Sequence, residues 1–288
     1  MPDSNRSIRK AYSSDVTDAQ WAILEPMIPI NTGRGRRQTL SLRDIIDAVF
    51  YINANGCKWA DLPHDFPAFT SVSYHYTKWM RDGTWRRVND ALREAVRADA
   101  GRDPHPSAGA IDSQTVKAAP TGGHRGYDGG KRTTGRKRHV LVDTLGLVVA
   151  VTVTAASVSD AAGAVGLLRQ VSYFDQPRLA MIYVDGAYHR QMLYDHIRDT
   201  KWYAIKVVSR PIGAVGFVPI HKRWVVERTF GWLAHHRRHA KDYERTYESS
   251  EAQVYISHVR LMLRRLTKSP VFDDSCPAST AVIPRLAA

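Results

Sequence analysis

Two apolar stretches that read as strands, Gly109–Ile111 and Leu179–Val184, each run directly into an aspartate, Asp112 and Asp185. If these strands are parallel neighbours, the two carboxylates stand side by side at one rim of a sheet. A helix over Trp224–Arg237 carries Glu227 and can pack across that rim as a third acid. Three clustered carboxylates without a cation repel one another, and their pKa values rise. Hard, oxygen-preferring divalent ions relieve that repulsion, so Mg²⁺ or Mn²⁺ is the expected cofactor. Two such ions about 3.5–4 Å apart can activate an attacking oxygen and stabilise the leaving oxygen of an in-line phosphoryl displacement. Around Glu227, Gly231 and Ala234 leave the helix face uncluttered, and Arg223 and Arg238 lie along it. Taken singly, a strand-end Asp commonly caps a turn and a helical Glu commonly pairs with a nearby Arg. Asp143 and Asp160 are read in that simpler way, as turn and N-cap.

The charge balance names a partner for such chemistry. In 288 residues, 41 Lys and Arg face 28 Asp and Glu, a formal net charge of +13. Residues 1–100 hold 14 basic and 12 acidic side chains, and residues 101–288 hold 27 and 16. The excess is concentrated in Lys131–Arg138, with Lys131, Arg132, Arg136, Lys137 and Arg138, and in Lys222–Arg245, with Arg223, Arg228, Arg237 and Arg238. One basic run is usually a solvated face. Two runs flanking the same acidic site point to phosphate contact, with nucleic acid the first suspect, and to steeply salt-dependent binding. No apolar run is long enough to span a membrane. The opening Met-Pro-Asp-Ser-Asn-Arg leads into no apolar stretch, so no secretory signal is expected. Cys57 and Cys276 form no CxxC pair. That fits a reducing, cytoplasmic setting and supports neither a disulfide framework nor a cysteine zinc site.

The elements that must hold the acids differ along the chain. Before residue 107 the periodicity is helical. Thr17-Asp18-Ala19-Gln20 has capping-box spacing ahead of Trp21, Leu24 and Ile28. Leu42, Ile45, Ile46, Val49 and Phe50 mark a helix over roughly 41–54, stopped by Gly56. Val72, Tyr76, Trp79 and Met80 mark a third helix, and Trp85, Val88, Leu92 and Val96 a fourth. Ser71–Met80 can serve as a DNA-reading helix presenting Ser71, Ser73, Tyr74, His75 and Lys78. A helical packing or dimerisation unit accounts for the same pattern equally well. Gly33-Arg34-Gly35-Arg36-Arg37 is either a minor-groove arm or a solvated loop. Trp21, Trp59, Trp79 and Trp85 read as core.

After residue 107 the pattern is α/β. His139–Val153 reads as a hairpin broken at Asp143-Thr144-Leu145-Gly146. A helix capped near Ser159, the strand ending at Asp185, a helix over 190–198, a strand over 202–208 and two further helices follow. The expected fold is therefore a mixed five-stranded sheet with flanking helices, preceded by an all-helical N-terminal part. The divisions expected are 1–105, for DNA binding or dimerisation; 106–268, the catalytic α/β part; and 269–288, a flexible tail. Other chemistries lack their signatures. Gly126–Thr133 fails as a P-loop, His235 and His239 lack the H-E-x-x-H glutamate, and no GxSxG elbow occurs.

Ala110-Ile111-Asp112-Ser113-Gln114, Gly126-Tyr127-Asp128-Gly129-Gly130-Lys131, Gly135-Arg136-Lys137-Arg138-His139 and Leu141-Val142-Asp143-Thr144-Leu145-Gly146 occur in order. Asp185-Gly186-Ala187-Tyr188 and Arg223-Trp224-Val225-Val226-Glu227-Arg228-Thr229-Phe230-Gly231-Trp232-Leu233 follow. With Gly56–Pro63 and Asp82–Trp85, this set resembles bacterial insertion-sequence DDE transposases, most closely the insertion-sequence-five family. The resemblance implies an RNase H-like catalytic domain using two divalent ions, with Asp112, Asp185 and Glu227 as the DDE acids. It implies water attack at the element's ends, then direct attack of the freed 3′-OH on target DNA without a covalent protein intermediate. It also implies terminal inverted repeats and target DNA as partners, and a homodimer or higher multimer. In the family's Tyr-Arg-Glu-Lys signature, Arg223 stands at the Arg position, while Ile220 and Ala234 occupy the Tyr and Lys positions. Arg237 or Arg238 then supplies the missing phosphate contact. A same-fold nuclease that cuts without joining, or a non-catalytic DNA-binding repressor, are the alternatives.

Overall fold

The computed structural model describes residues 9–30, 40–120, 123–200, 202–208 and 223–269. The Gly33–Arg37 arm, Ile220, Lys222 and residues 270–288 of the expected tail lie outside the described residues. The N-terminal helices are α1 (Asp18–Leu24), α2 (Leu42–Asn55), α3 (Phe69–Arg81) and α4 (Thr84–Asp99). The capping box at Thr17 forms, with Gln20 N–H donating to the Thr17 hydroxyl and Thr17 N–H to the Gln20 side chain, both at 3.2 Å. Gly56 ends α2 at φ 71°, a left-handed conformation that glycine adopts at little cost.

Six strands follow, β1 (Ala108–Lys117), β2 (Gly126–Asp128), β3 (Thr133–Asp143), β4 (Val148–Ala155), β5 (Met181–Val184) and β6 (Ala204–Val207). They are interleaved with α5 (Asp160–Arg169) and α6 (Gln191–Thr200) and followed by α7 (Trp224–Ala234) and α8 (Tyr247–Leu266). β1 is antiparallel to β3 and β3 to β4, whereas β1–β5 and β5–β6 are parallel. The order β4-β3-β1-β5-β6 is the mixed five-stranded sheet that the sequence leads one to expect, with the short β2 added beside the start of β3. The expected five strands are thus joined by a sixth. β1 and β3 also run further than their apolar residues indicate, because Gln114–Lys117 pair with Gly135–Arg138, and Thr133 and Thr134 pair with β2. α7 stops at Ala234, three residues before the expected end, and α8 starts at Tyr247, three before Ser250.

Alternate residues of the central strands serve opposite faces. Ala110, Val140 and Val142 join one apolar cluster with the N-terminal helices, α7 and α8. Ile111 and Leu141 join a second with α5, β5 and α6. Trp79 and Trp85 are fully buried and Trp21 nearly so, with Trp59 packed against the same cluster. The described residues of the N-terminal helices therefore share a continuous core with the sheet. Buried polar contacts reinforce this, with the Asn53 amide donating to the Gln253 side chain at 2.9 Å and the Tyr76 hydroxyl to the Ser249 carbonyl at 2.9 Å. On α3, Tyr74 is exposed but His75 is buried against Trp79. His75 is therefore withdrawn from the face on which the sequence pattern expects it.

Candidate active site

The parallel register of β1 and β5 sets Ala110 beside Tyr183. Two residues further along each chain come Asp112 and Asp185, on the same face of the sheet. Asp112 lies within β1 and its Oδ1 accepts the Ser113 N–H at 2.8 Å. Asp185 follows β5, and its Oδ1 accepts the Ala187 N–H at 2.8 Å, closing a short turn. One guanidinium nitrogen joins them. Arg223 Nη2 lies 3.3 Å from Asp112 Oδ2 and 3.5 Å from Asp185 Oδ2. Arg223 is buried and immediately precedes α7, so the helix aims its first residues at the aspartates.

Glu227 lies on the first turn of α7, with an exposed side chain. It is close enough to act electrostatically on Asp112. Burial pushes the Asp112 carboxyl up to about 6; the Ser113 N–H and Arg223 oppose the rise, and Asp185 and Glu227 add to it. Among the described residues, no three His, Cys, Asp or Glu side chains close into a ready metal cluster. The donor set nonetheless suits a divalent cation. Two carboxylates with hard oxygen ligands share one positive group, and Arg223 is the cation that stands between them.

Nearby residues complete the floor. The Tyr188 phenol is buried, and burial together with Asp112, Asp160 and Asp185 holds it protonated. Ser113 Oγ donates to Asp160 Oδ1 at 2.7 Å, and Lys137 Nζ lies 3.1 Å from the same oxygen and 3.7 Å from Asp128 Oδ2. Ser159 rather than Asp160 caps α5, its hydroxyl accepting the Ala162 N–H at 3.3 Å, and Asp160 instead ties α5 to β1 and β3. Asp143 behaves as a turn residue, its Oδ1 accepting the Leu145 and Leu147 N–H groups and its Oδ2 taking Arg97 at 2.6 Å. The Asp-Gly-Ala-Tyr spacing could have pointed to Tyr188; nothing local signals that Arg223 bridges the aspartates.

The nine basic residues expected to hold DNA divide sharply. Lys131, Arg132 and Arg237 are exposed. Arg136 is 1% exposed and pairs with Asp242 at 3.0 Å, while donating to the carbonyls of His124, Arg245 and Thr246. Arg138 is buried and donates to the His239 carbonyl at 3.2 Å, burial lowering its pKa to about 10. Lys137 is held by Asp128, Asp160 and the Val158 carbonyl. Arg238 pairs with Glu244 at 2.7 Å and donates to the Cys57 carbonyl. Arg228 lies between the rings of Trp224 and Trp232 and donates to the Leu145 carbonyl at 2.9 Å. These six, Arg223 included, are turned inward. Most of the run 131–138 is strand β3 buried under the 236–246 segment, and a buried cation must find internal acceptors.

The Transposase DDE domain family matches residues 103–263, more than half of the chain. The transposases of the IS4/5 family match residues 16–89. No curated protein matches. Among solved structures, the Mos1 mariner paired end complex with Mn aligns over 82% of this chain and 80% of that one, at 11% identity and a TM-score of 0.29. The matched span contains both β1 and α7, and with them Asp112, Asp185 and Glu227. The chain belongs to the Transposase DDE domain family.

Proposed function

We propose that Asp112, Asp185 and Glu227 are the acids of this transposase, and that they act on the ends of an insertion sequence. The observation that carries the reading is the single Arg223 nitrogen in contact with both aspartates. It marks a site where paired negative charge demands a cation. Asp112 and Asp185, with Glu227 from α7, would hold two Mg²⁺ or Mn²⁺ ions. When bound, these supply Lewis-acid stabilisation of charge on the attacking and leaving oxygens.

The chain's own residues do the rest. Exposed Lys131, Arg132 and Arg237 grip DNA phosphates, and the buried cations keep the scaffold rigid. Tyr188 and the Ser113–Asp160–Lys137 cluster hold the floor under Asp112. Water first breaks a phosphodiester at the element's end and frees a 3′-OH. That oxygen then bonds to a target phosphorus, the target's own 3′-oxygen leaves, and phosphodiester number is conserved. Because two ends must be joined in one event, the working form is a dimer or higher multimer on DNA, in the cytoplasm beside the nucleoid. Residues 1–105 recognise the ends or pair the subunits, and 106–268 carry the chemistry. No helix among the described residues is long and apolar enough to cross a membrane.

The test incubates protein, Mg²⁺, DNA carrying the element's ends and a target plasmid. Joined products are expected, and Asp112→Ala should abolish cleavage while retaining DNA binding, which the basic groups carry. Cleavage without joining would replace this reading with a nuclease, and wild-type cleavage by Asp112→Ala would remove that residue from the site. Light scattering of the DNA complex tests the multimer, and a monomeric complex that joins both ends would refute it.

A further inference from the structure

β1 pairs with β3 as far as Lys117 and Gly135, and β4 pairs with β3 as far as Ala155 and Arg136. Beyond those pairs β3 has β2 alone, through Tyr127 beside Thr134 and Asp128 beside Thr133. Residues 126–134 are therefore a two-stranded ribbon that overhangs the end of the sheet. Its base is packed, since a Cβ on Gly126 would collide with Ser157 and one on Gly135 with Val116. Its tip stands in open space, where a Cβ on Gly129 would meet nothing within 4 Å.

The ribbon presents charge of one sign. Arg125, Tyr127, Lys131, Arg132 and Thr134 are exposed. Asp128, the single acid of the stretch, is turned back to the base, accepting the Thr115 hydroxyl at 2.6 Å with Lys137 at 3.7 Å. Among the described residues, no acid pairs with Arg125, Lys131 or Arg132. Arg132 also holds φ 50°, a left-handed conformation that glycine adopts more easily. An arginine there destabilises the turn, and its exposed guanidinium is what the position gains.

The strand register relates the ribbon to the acids. Asp112 stands beside Val140, and Thr134, six residues back along β3, lies on that same face of the sheet. Tyr127, paired with Thr134, shares it. The 236–246 segment covers this face at Arg136 and Arg138, and the face reopens at Thr134 and Tyr127. Five residues separate Asp112 from Lys117, where β1 ends, a distance of about 17 Å. That is about five base pairs of duplex, or roughly half a helical turn. A two-stranded ribbon fits the major groove of B-form DNA.

We propose that the 126–134 ribbon enters the major groove of the bound double-stranded DNA about half a turn from the cleaved phosphate; this rests on the transposase reading above. Tyr127 meets base edges, and Arg125, Lys131 and Arg132 hold the flanking phosphates.

The test uses the full chain on end DNA without Mg²⁺, with Tyr127→Ala, Arg132→Gly and Lys131→Ala, each with its urea midpoint checked. In the wild type, guanine N7, a major-groove atom, should be protected from dimethyl sulfate about five base pairs from the bond that is cut when Mg²⁺ is added. Tyr127→Ala should lose that protection and bind end DNA about tenfold more weakly, while binding unrelated duplex as the wild type does. Arg132→Gly should weaken binding to both duplexes and make the slope of log affinity against log salt shallower by about 0.9. Its urea midpoint should be unchanged or higher, because glycine relieves the left-handed backbone. Lys131→Ala, at an unstrained position, should flatten the slope equally. Folded variants with wild-type protection and wild-type slopes would overturn the proposal. So would a Tyr127→Ala protein weakened only on single-stranded DNA, which would make the ribbon a platform for unpaired bases. A wild type whose duplex binding depends on the ribbon, but which neither cleaves nor joins ends, would sink the transposase reading and leave the ribbon's contact standing.

Discussion

Arg136 offers the sharpest separation between a residue that grips DNA and one that grips the protein. Its guanidinium is 1% exposed, lies over the Tyr247 ring and makes four hydrogen bonds, one to a fully buried carboxylate, Asp242. Arg136→Ala would leave Asp242 with Ser250 and the Glu244 N–H but no counter-ion. It would also strip a donor from three carbonyls. Removing one partner of a buried ion pair costs about 3–5 kcal/mol, against a total stability of about 5–15 kcal/mol for a typical domain. The urea midpoint followed by circular dichroism should therefore fall steeply. Any DNA bound by the folded remainder should keep the wild-type salt slope. Lys131→Ala and Arg132→Ala should do the reverse, changing stability by less than about 0.5 kcal/mol and each flattening the slope by about 0.9. An Arg136→Ala protein with a wild-type urea midpoint and a flattened slope would refute the reasoning.

Three other outcomes follow from the same packing. Glu251 accepts the Val153 N–H at 2.8 Å, and burial raises its carboxyl from 4.5 to about 7, so its contribution is full below pH 4.5 and lost as pH rises through 7. Glu251→Gln keeps the acceptor and removes the ionisation, so its stability relative to wild type should rise by about 3 kcal/mol between pH 4 and pH 8; a difference that stays flat in urea titrations would contradict this. A Cβ on Gly163 would meet the His139 ring at 2.0–2.5 Å, whereas on Gly166 it would touch only Thr152 Cγ2 at 3.8 Å. Gly163→Ala should cost about 1–3 kcal/mol and Gly166→Ala should gain about 0.5–1 kcal/mol, and equal melting temperatures for the two would count against the packing described. Arg223→Gln removes the cation shared by Asp112 and Asp185, so Mg²⁺ should raise the melting temperature of that variant more than that of the wild type, and an equal rise would mean that guanidinium and metal do not compete.

Much of the fold is legible because apolar residues repeat with the period of their element. The stripe Leu42, Ile45, Ile46, Val49 and Phe50 faces one apolar cluster, the Val/Leu run of 139–153 is shared between two, and the structure forms a helix and a hairpin there. The pattern fails where a buried strand is lined by charge. Thr133–Arg138 belongs to β3, but its partners are Asp242, Asp128, Asp160 and backbone carbonyls, all remote or unmarked in the chain. A charge run on a strand looks identical in sequence whether it faces water or a buried acid. Only the position of the 236–246 segment, which is set by tertiary packing, decides between them.

The same distinction governs the acidic site. Asp112 and Asp185 are readable because each ends or follows an apolar β stretch, and parallel pairing then fixes their distance. Arg223 is not readable in this way, since four residues before Glu227 it looks like an ordinary i, i+4 helical partner. In the structure it precedes α7, outside that helical spacing, and reaches back to the two aspartates. The helix that delivers the third acid therefore also delivers the counter-ion of the first two. Any approach of Glu227 toward Asp112 and Asp185 would move Arg223 with it, so under the function proposed above, binding metal at these acids and releasing that arginine would be one event.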